Sequence, residues 1–459
     1  ALAQALILRQ QDNVAYRNLL DAITHTAPKD ADLIDEGSPF GKGLYVSTEM
    51  FVNGMMHLIE KGIVRRRVYD NAALQRGLND GAISERIDQT MLDYIFEQGV
   101  VPRYLDATAL DNLLELGLAP QAARVDGDAL VIGGERYSTD TRDDQTRRAL
   151  ADGILGGRLR GGRILHGGFF LGPRDFYRKL SSLDDDMQAS ICMTGVRRTN
   201  QLLLDPPLYI AQRQKARFIN TGMIVTLTGA VASDALEDGT VISGVGGQYN
   251  FVAMAHDLPG ARSILCIRAT RGEGDDVKST IVPSYGHITI PTHLRDVIVT
   301  EYGIADLRGQ SDSEIIKRLI CVADARFQDY LAQTAKEAGK LEEDWAIPTS
   351  ARDNTPGKLQ AALGHAYGDD LLPKFPFGTD LTNEEVALAD SLRKVKALSE
   401  EPGEFVYTML RALVHRADEQ RAQPFLERIG LEHPNSSKEF LIAQLLMLEL
   451  EENGYLKVS

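Results

Sequence analysis

Residues Ser243–Leu258 read SGVGGQYNFVAMAHDL, and the apolar run from Thr240 to Ser243 leads into them. β-forming residues pass into Gly244, Gly246 and Gly247, after which Phe251, Val252 and Met254 recur at helical spacing. Strand, glycine bend and helix in that order predict a layered α/β domain. Closely spaced glycines let backbone N–H groups approach a ligand, and a helix N-terminus adds positive potential. Such a bend can hold a phosphate or receive an oxyanion. It is not a dinucleotide fingerprint, because Tyr249 stands where the third glycine belongs, and no Gly-Lys-Ser/Thr follows as in a P-loop. The competing reading is a tight turn that needs small residues.

Outward from the bend the same alternation holds. QASICMTG, FINTGMIVTLTG, RSILCIRAT, STIVPSYGHITIP and DVIVTEYG are short β-rich runs with helical stretches between some of them. They predict an open sheet, mixed or parallel, flanked by helices. Near the other end, GLYVSTEMFVNG (Gly43–Gly54) alternates through Leu44, Val46 and Thr48, then turns helical through Phe51, Met55, Leu58 and Ile59 up to Gly62. This reading places Glu49 at a strand-to-helix junction. Glu301, in IVTEYGIADLRG, is its rival as a chemical carboxylate. Either one alone is more often a cap or an ion-pair partner.

Four segments are expected. Residues 1–70 read as helix, loop, strand and helix, the first part of the catalytic α/β domain. Residues 71–160 read as an inserted α+β lobe, with helices over Ser84–Gln98 and Thr108–Leu116 and a hairpin at Asp126-Gly127 or Gly133-Gly134. Residues 161–347 continue the α/β domain, and 348–459 form a helical C-terminal extension. Ser311/Glu314 and Ser436/Glu439 have capping-box spacing. The chain starts at Ala1 in a helical pattern without a cap, so a longer polypeptide is expected.

The net charge of −15 argues against nucleic-acid or anionic-membrane partners, which need a basic face. Local cations (Arg268, Arg271, Lys278, Arg295, Arg308) could still meet a small anion, although solvated charge is their default role. The cysteines Cys192, Cys266 and Cys321 form no C-x-x-C pair; two lie in apolar runs, so buried free thiols and a cytoplasmic location are expected. The histidines show no metal-ligand spacing, and no metal is expected. His256, His287 and His293, though near the glycine bend in sequence, read as structural.

GLYVSTEMFVNGMMHLIEKGIV, GGRILHGGFFLGPRDFY, VISGVGGQYNFVAMAH, STIVPSYGHITIPTHLRDVIVTEYGIADLRGQS and FPFGTDLT together resemble the acetyl-CoA hydrolase/transferase family, the family I CoA-transferases. The resemblance covers roughly 1–72, 160–345 and 375–382. It implies a CoA-transferase-like fold whose first domain would precede residue 1, and a dimer or larger homo-oligomer. It implies CoA transfer between a short-chain acyl-CoA and a carboxylate acceptor, with coenzyme A as substrate and no permanently bound cofactor. The nucleophile it implies is Glu49, which forms an acyl anhydride and then a glutamyl-CoA thioester. Asn200 matches the family's assisting asparagine, although Gln201 and Leu202 depart from the residues that usually follow. Gly246 and Gly247 are the expected oxyanion donors, and Gly244, Gln248 and Lys278 are assigned to the coenzyme. Acyl-CoA hydrolysis through the same glutamate, and a non-catalytic CoA-binding or assembly subunit, are the alternatives. Glu301 becomes structural.

Overall fold

The computed structural model describes residues 2–17, 41–368, 371, 373–399, 402–414 and 418–456. The loop expected between the first helix and the first strand lies largely outside them. Contacts divide the chain into two units, Ala1–Gly172 with Phe176–Pro376, and Pro173–Asp175 with Phe377–Ser459.

In the first unit, α1 (Leu2–Gln10) is followed by β1 (Val46–Val52) and α2 (Asn53–Glu60). The strand continues through Glu49, which therefore lies inside β1 rather than at a junction. Pairing overrides the helical spacing here. Met50, Phe51 and Val52 keep register with Phe169, Phe170 and Leu171, and the fully buried Phe51 meets Phe176 edge-on at 5.2 Å.

Next come α3 (Ala72–Asp80), α4 (Gln89–Glu97) and α5 (Ala107–Leu116). The helix expected from Ser84 starts at Gln89, because the Asp88 carboxylate caps it by accepting from the Met91 N–H at 3.0 Å. Gly117 ends α5 in the left-handed region (φ 72°). Strands β2 (Arg124–Asp126), β3 (Ala129–Ile132) and β4 (Glu135–Ser138) make an antiparallel meander. Both hairpin sites are used, and Gly133 and Gly134 each have positive φ, as a two-residue primed turn requires. Helix α6 (Asp144–Asp152) closes this stretch. Its residues share a core of their own that includes Leu74, Met91, Ile95, Leu110, Leu130 and Leu150.

The chain returns as β5 (Leu165–Leu171), parallel to β1, and continues through α7 (Arg174–Ser181), α8 (Asp185–Ser190) and β6 (Ile191–Met193). The sheet order is β1-β5-β6, all parallel. Helices α9 (Val196–Asn200) and α10 (Pro206–Gln212) lead to β7 (Arg217–Thr221), β8 (Ile224–Thr226) and β9 (Val231–Ala232). Then follow α11 (Gln248–Asp257), β10 (Arg262–Cys266), β11 (Thr270–Arg271), β12 (Lys278–Ser279), β13 (Ile281–Val282), β14 (Val297–Thr300) and β15 (Gly303–Asp306). A four-stranded sheet runs β15-β14-β10-β7, parallel except at β15. The α/β class is as expected, but the sheet is divided into several small ones.

The strand expected over Thr240–Ser243 is absent. Asp238-Gly239 makes a turn instead, with the Leu236 N–H donating to Thr240 O and Ile242 N–H to Asp234 O, both at 2.8 Å. Val241 and Ile242 are left exposed.

Helices α12 (Asp312–Cys321) and α13 (Ala325–Glu337) cover the core beneath β10 and β14, where Leu265, Ile298, Ile315, Leu319 and Leu331 pack. Ser311 caps α12, but the Glu314 carboxylate pairs with Lys317 at 3.0 Å instead of closing a capping box. Helix α14 (Pro356–Gly368) ends the first unit's regular structure. The second unit holds α15 (Asn383–Ser399), α16 (Pro402–Val414), α17 (Glu419–Arg428) and α18 (Ser437–Glu452) around Leu388, Ala422, Ala443, Leu446 and Leu450. Ser436 caps α18, and Glu439 reaches back to the Asn435 N–H at 2.7 Å.

Candidate active site

Ser47 and Glu49 lie on one side of β1, since strand side chains alternate. Glu49 is half-buried there. Its Oε1 accepts from the Asn200 amide Nδ2 at 2.5 Å, and its Oε2 accepts from the Gly247 N–H at 3.2 Å. Asn200 is the last residue of α9 and is buried. The Thr199 hydroxyl, fully buried, donates to Asn200 Oδ1 at 2.9 Å, which turns the amide nitrogen toward Glu49. Gly247 is the N-cap of α11 and brings no capping side chain. The carboxylate accepts from the N-cap residue's own N–H, the donor a capping-box residue would take, at the positive end of a helix.

The glycines matter for different reasons. A Cβ on Gly247 would lie 2.7 Å from both Glu49 Oε1 and Asn200 Nδ2, so any side chain displaces the carboxylate. Gly246 has φ +56°, a conformation L side chains rarely adopt, with Glu49 Oε2 3.4 Å from where its Cβ would stand. Gly168, opposite Glu49 on β5, lets the two strands and Val196 close up: its Cβ would be 2.9 Å from Glu49 O and from Val196 Cγ1.

Four residues singled out in the sequence thus converge: Glu49, Asn200, Gly246 and Gly247. Gly244 is exposed, with open space around it. Gln248 is buried, and its Nε2 donates to Thr221 O at 2.9 Å. Lys278 is exposed on the β11-β12 ribbon opposite Arg271. Glu301 accepts the Ala269 N–H at 2.8 Å and so braces the chain after β10. His256 hydrogen-bonds Leu294 O at 3.0 Å, and His287 bonds Asp234 at 2.9 Å. The three cysteines are free and half-buried, and burial pushes the Cys321 thiol up to about 11.

Residues the sequence reading passed over carry buried polar groups on other strands. His166 on β5 is buried and hydrogen-bonds the Tyr45 hydroxyl at 2.8 Å. Burial, with the Arg198 charge adding to it, holds its imidazole down at about 3, so it is neutral at ordinary pH. Asn220, near the end of β7, has a buried amide nitrogen without a hydrogen-bond partner. Both lie in runs already quoted, GGRILHGGFFLGPRDFY and FINTGMIVTLTG, but only their burial and contacts single them out.

A cavity of about 820 Å³ lies at the other end of α11, lined by His256, Arg262, His293, Arg295, Asp296 and Arg308 among others. Its arginines are engaged: Arg308 with Asp306 (2.6 Å) and Asp296 (3.2 Å), Arg295 with Asp312 (3.3 Å). Its lining lacks a carboxylate held by glycine amides, so the chemistry is sought at Glu49.

Residues 172–335 match a family model described as the acetyl-CoA hydrolase/transferase C-terminal domain. This segment, about a third of the chain, is similar to that family's C-terminal domain. Asn200, the glycine bend and Lys278 fall inside the matched segment, whereas Glu49 precedes it. The 4-hydroxybutyrate coenzyme A transferase of Clostridium kluyveri is 32% identical over 28% of this chain and 30% of its own length. A probable butyrate:acetyl-CoA coenzyme A-transferase of Syntrophomonas wolfei is 35% identical over 37% of this chain and 36% of its own. The matches thus span about a third of the length of these relatives. RipA from Yersinia pestis superposes with a TM-score of 0.40 at 21% identity, over 70% of this chain and 53% of that one. No helix among the described residues is long and apolar enough to cross a membrane.

Proposed function

We propose that this chain belongs to the acetyl-CoA hydrolase/transferase family and transfers coenzyme A between a short-chain acyl-CoA and a carboxylate acceptor, with Glu49 as nucleophile. The observation that carries the proposal is the Glu49 carboxylate held between the Asn200 amide and the Gly247 N–H at the start of α11.

A carboxylate is a weak nucleophile and must be held against its target. Its oxygen attacks the thioester carbon, the C–S bond breaks, and an acyl–glutamyl anhydride forms as CoA thiolate leaves. The thiolate then attacks Glu49 Cδ, the acyl carboxylate departs, and a glutamyl-CoA thioester remains. An acceptor carboxylate attacks that carbonyl and releases thiolate, which takes the acceptor's acyl carbon and frees Glu49. Each attack on Cδ puts negative charge on a Glu49 oxygen. The amides that hold the resting carboxylate are then placed to receive that charge. Gly246 and Gly247 are the proposed donors. Gly244 and Lys278 are proposed to face the coenzyme, and Gln248, bonded to Thr221, to hold the bend against β7.

Hydrolysis differs only in letting water reach the same Cδ. Incubating the full-length protein with acyl-CoA, then reducing with borohydride, should convert Glu49 to its alcohol. Glu49→Gln should lose both that product and CoA transfer to acetate. Retained transfer in Glu49→Gln would refute the assignment, and CoA release without acceptor would identify a hydrolase.

A further inference from the structure

Arg213 is 3% exposed, at the C-terminal end of α10, and among the described residues no carboxylate forms an ion pair with it. Its neighbours are instead carbonyls and soft or aromatic groups. One guanidinium nitrogen donates to Gln201 O at 3.1 Å, and the other donates to Arg198 O. These two carbonyls flank Thr199 and Asn200, the turn that presents the amide to Glu49. The first nitrogen also touches Met254 Sδ at 3.0 Å, on α11, the helix that begins at Gly247. The guanidinium stacks on Tyr209 at 4.6 Å, and its Nε is buried without a partner.

A buried charge without an opposite charge is costly, and a guanidinium does not escape by losing its proton. The neighbouring Arg198 makes the opposite arrangement, pairing with Asp70 at 2.6 Å. What Arg213 does that an apolar side chain could not is fork onto two carbonyls on either side of Asn200 while resting on α11. We infer that Arg213 is a positioning residue, clamping the α9 turn to α11 so that the Asn200 amide and the Gly247 N–H converge on Glu49. This inference rests on the proposed role of Glu49. It implies that lysine cannot substitute, because one ammonium on a flexible stem does not reproduce the two-pronged geometry.

The test uses the full-length protein and the kinetics of CoA transfer. Arg213→Lys is expected to lower kcat on the order of 10- to 100-fold, the effect of a misplaced reacting group, with the KM for acyl-CoA changed less than about threefold. Wild-type kcat in a folded Arg213→Lys, or a loss confined to KM, would overturn the inference. If Arg213→Lys folds poorly, the pairing with Asn200→Ala decides. Arg213 acting through Asn200 makes the double variant no slower per folded molecule than Asn200→Ala alone, whereas multiplying losses would overturn it. Glu49→Gln separates the levels. Inactive Glu49→Gln with normal Arg213→Lys defeats only the clamp, whereas active Glu49→Gln defeats the proposed function.

Discussion

Gly247 has room for nothing beyond hydrogen, and its backbone is at φ −88°, where alanine is at ease. Gly247→Ala should therefore fold with little change in melting temperature. It should lose activity on the order of 10²-fold, because its Cβ pushes the Glu49 carboxylate and the Asn200 amide out of place while the N–H itself remains. Gly246→Ala makes the useful contrast, because its strain is in the backbone (φ +56°) and should appear first as lost stability. Steady-state rates and thermal melts on the two variants check the pair. Glu49 itself was legible because an acidic residue between apolar neighbours, within a family-like run, needs a reason. Thr199, His166 and Arg213 were not legible. His166 meets a group far along the chain and Arg213 meets backbone carbonyls, partners that leave no local trace in composition or spacing. The Thr199–Asn200 bond depends on the shape of the turn that joins them.

At the scale of elements, sequence and structure agree where the signal is local. Gly117 is an example: its φ of 72° ends α5, and a Cβ there would meet Arg158 O at 3.2 Å and Arg160 Cγ at 3.1 Å. Gly117→Ala should cost about 1–2 kcal/mol, combining left-handed strain with the tight contact, as read by chemical denaturation. Disagreement arises where pairing decides. Phe51 has helical spacing to Met55 and Leu58, yet the ladder with β5 holds it in a strand. Val241 and Ile242 are good strand formers, yet their pairing is limited to one antiparallel bridge between Val241 and Ala235, and both stay exposed. Propensity is decided within a few residues, whereas a ladder partner is set by the whole fold.

For the whole molecule, the buried imidazole of His166 links stability to pH. Its folded value, about 3, lies below the unfolded value of about 6.5, so the unfolded chain binds the extra proton. The neutral buried form contributes its stability fully above about pH 6.5 and loses it as pH falls toward 3. Between pH 7 and pH 5 the loss should be about 2 kcal/mol. His166→Asn should flatten that part of the pH dependence, as judged by urea midpoints at the two pH values. A wild-type midpoint unaffected by pH in this window would contradict the assignment.

Between α2 and β5 the chain leaves and comes back on two legs that lie side by side. The N–H of Val68 donates to Arg163 O at 2.9 Å, and the N–H of Arg163 donates to Val68 O at 2.8 Å. Their ends are thus about 5 Å apart, a gap that one tight loop can bridge. Beyond α3, which stays tied to α10 through the Asn79 amide donating to Ala211 O at 2.7 Å, what lies between them resembles a cassette plugged into an ordinary strand–helix–strand crossover. A shortened chain that rejoins the two legs would still thread β1 beside β5, so the site of attachment is one where evolution or an engineer could exchange modules without redrawing the sheet.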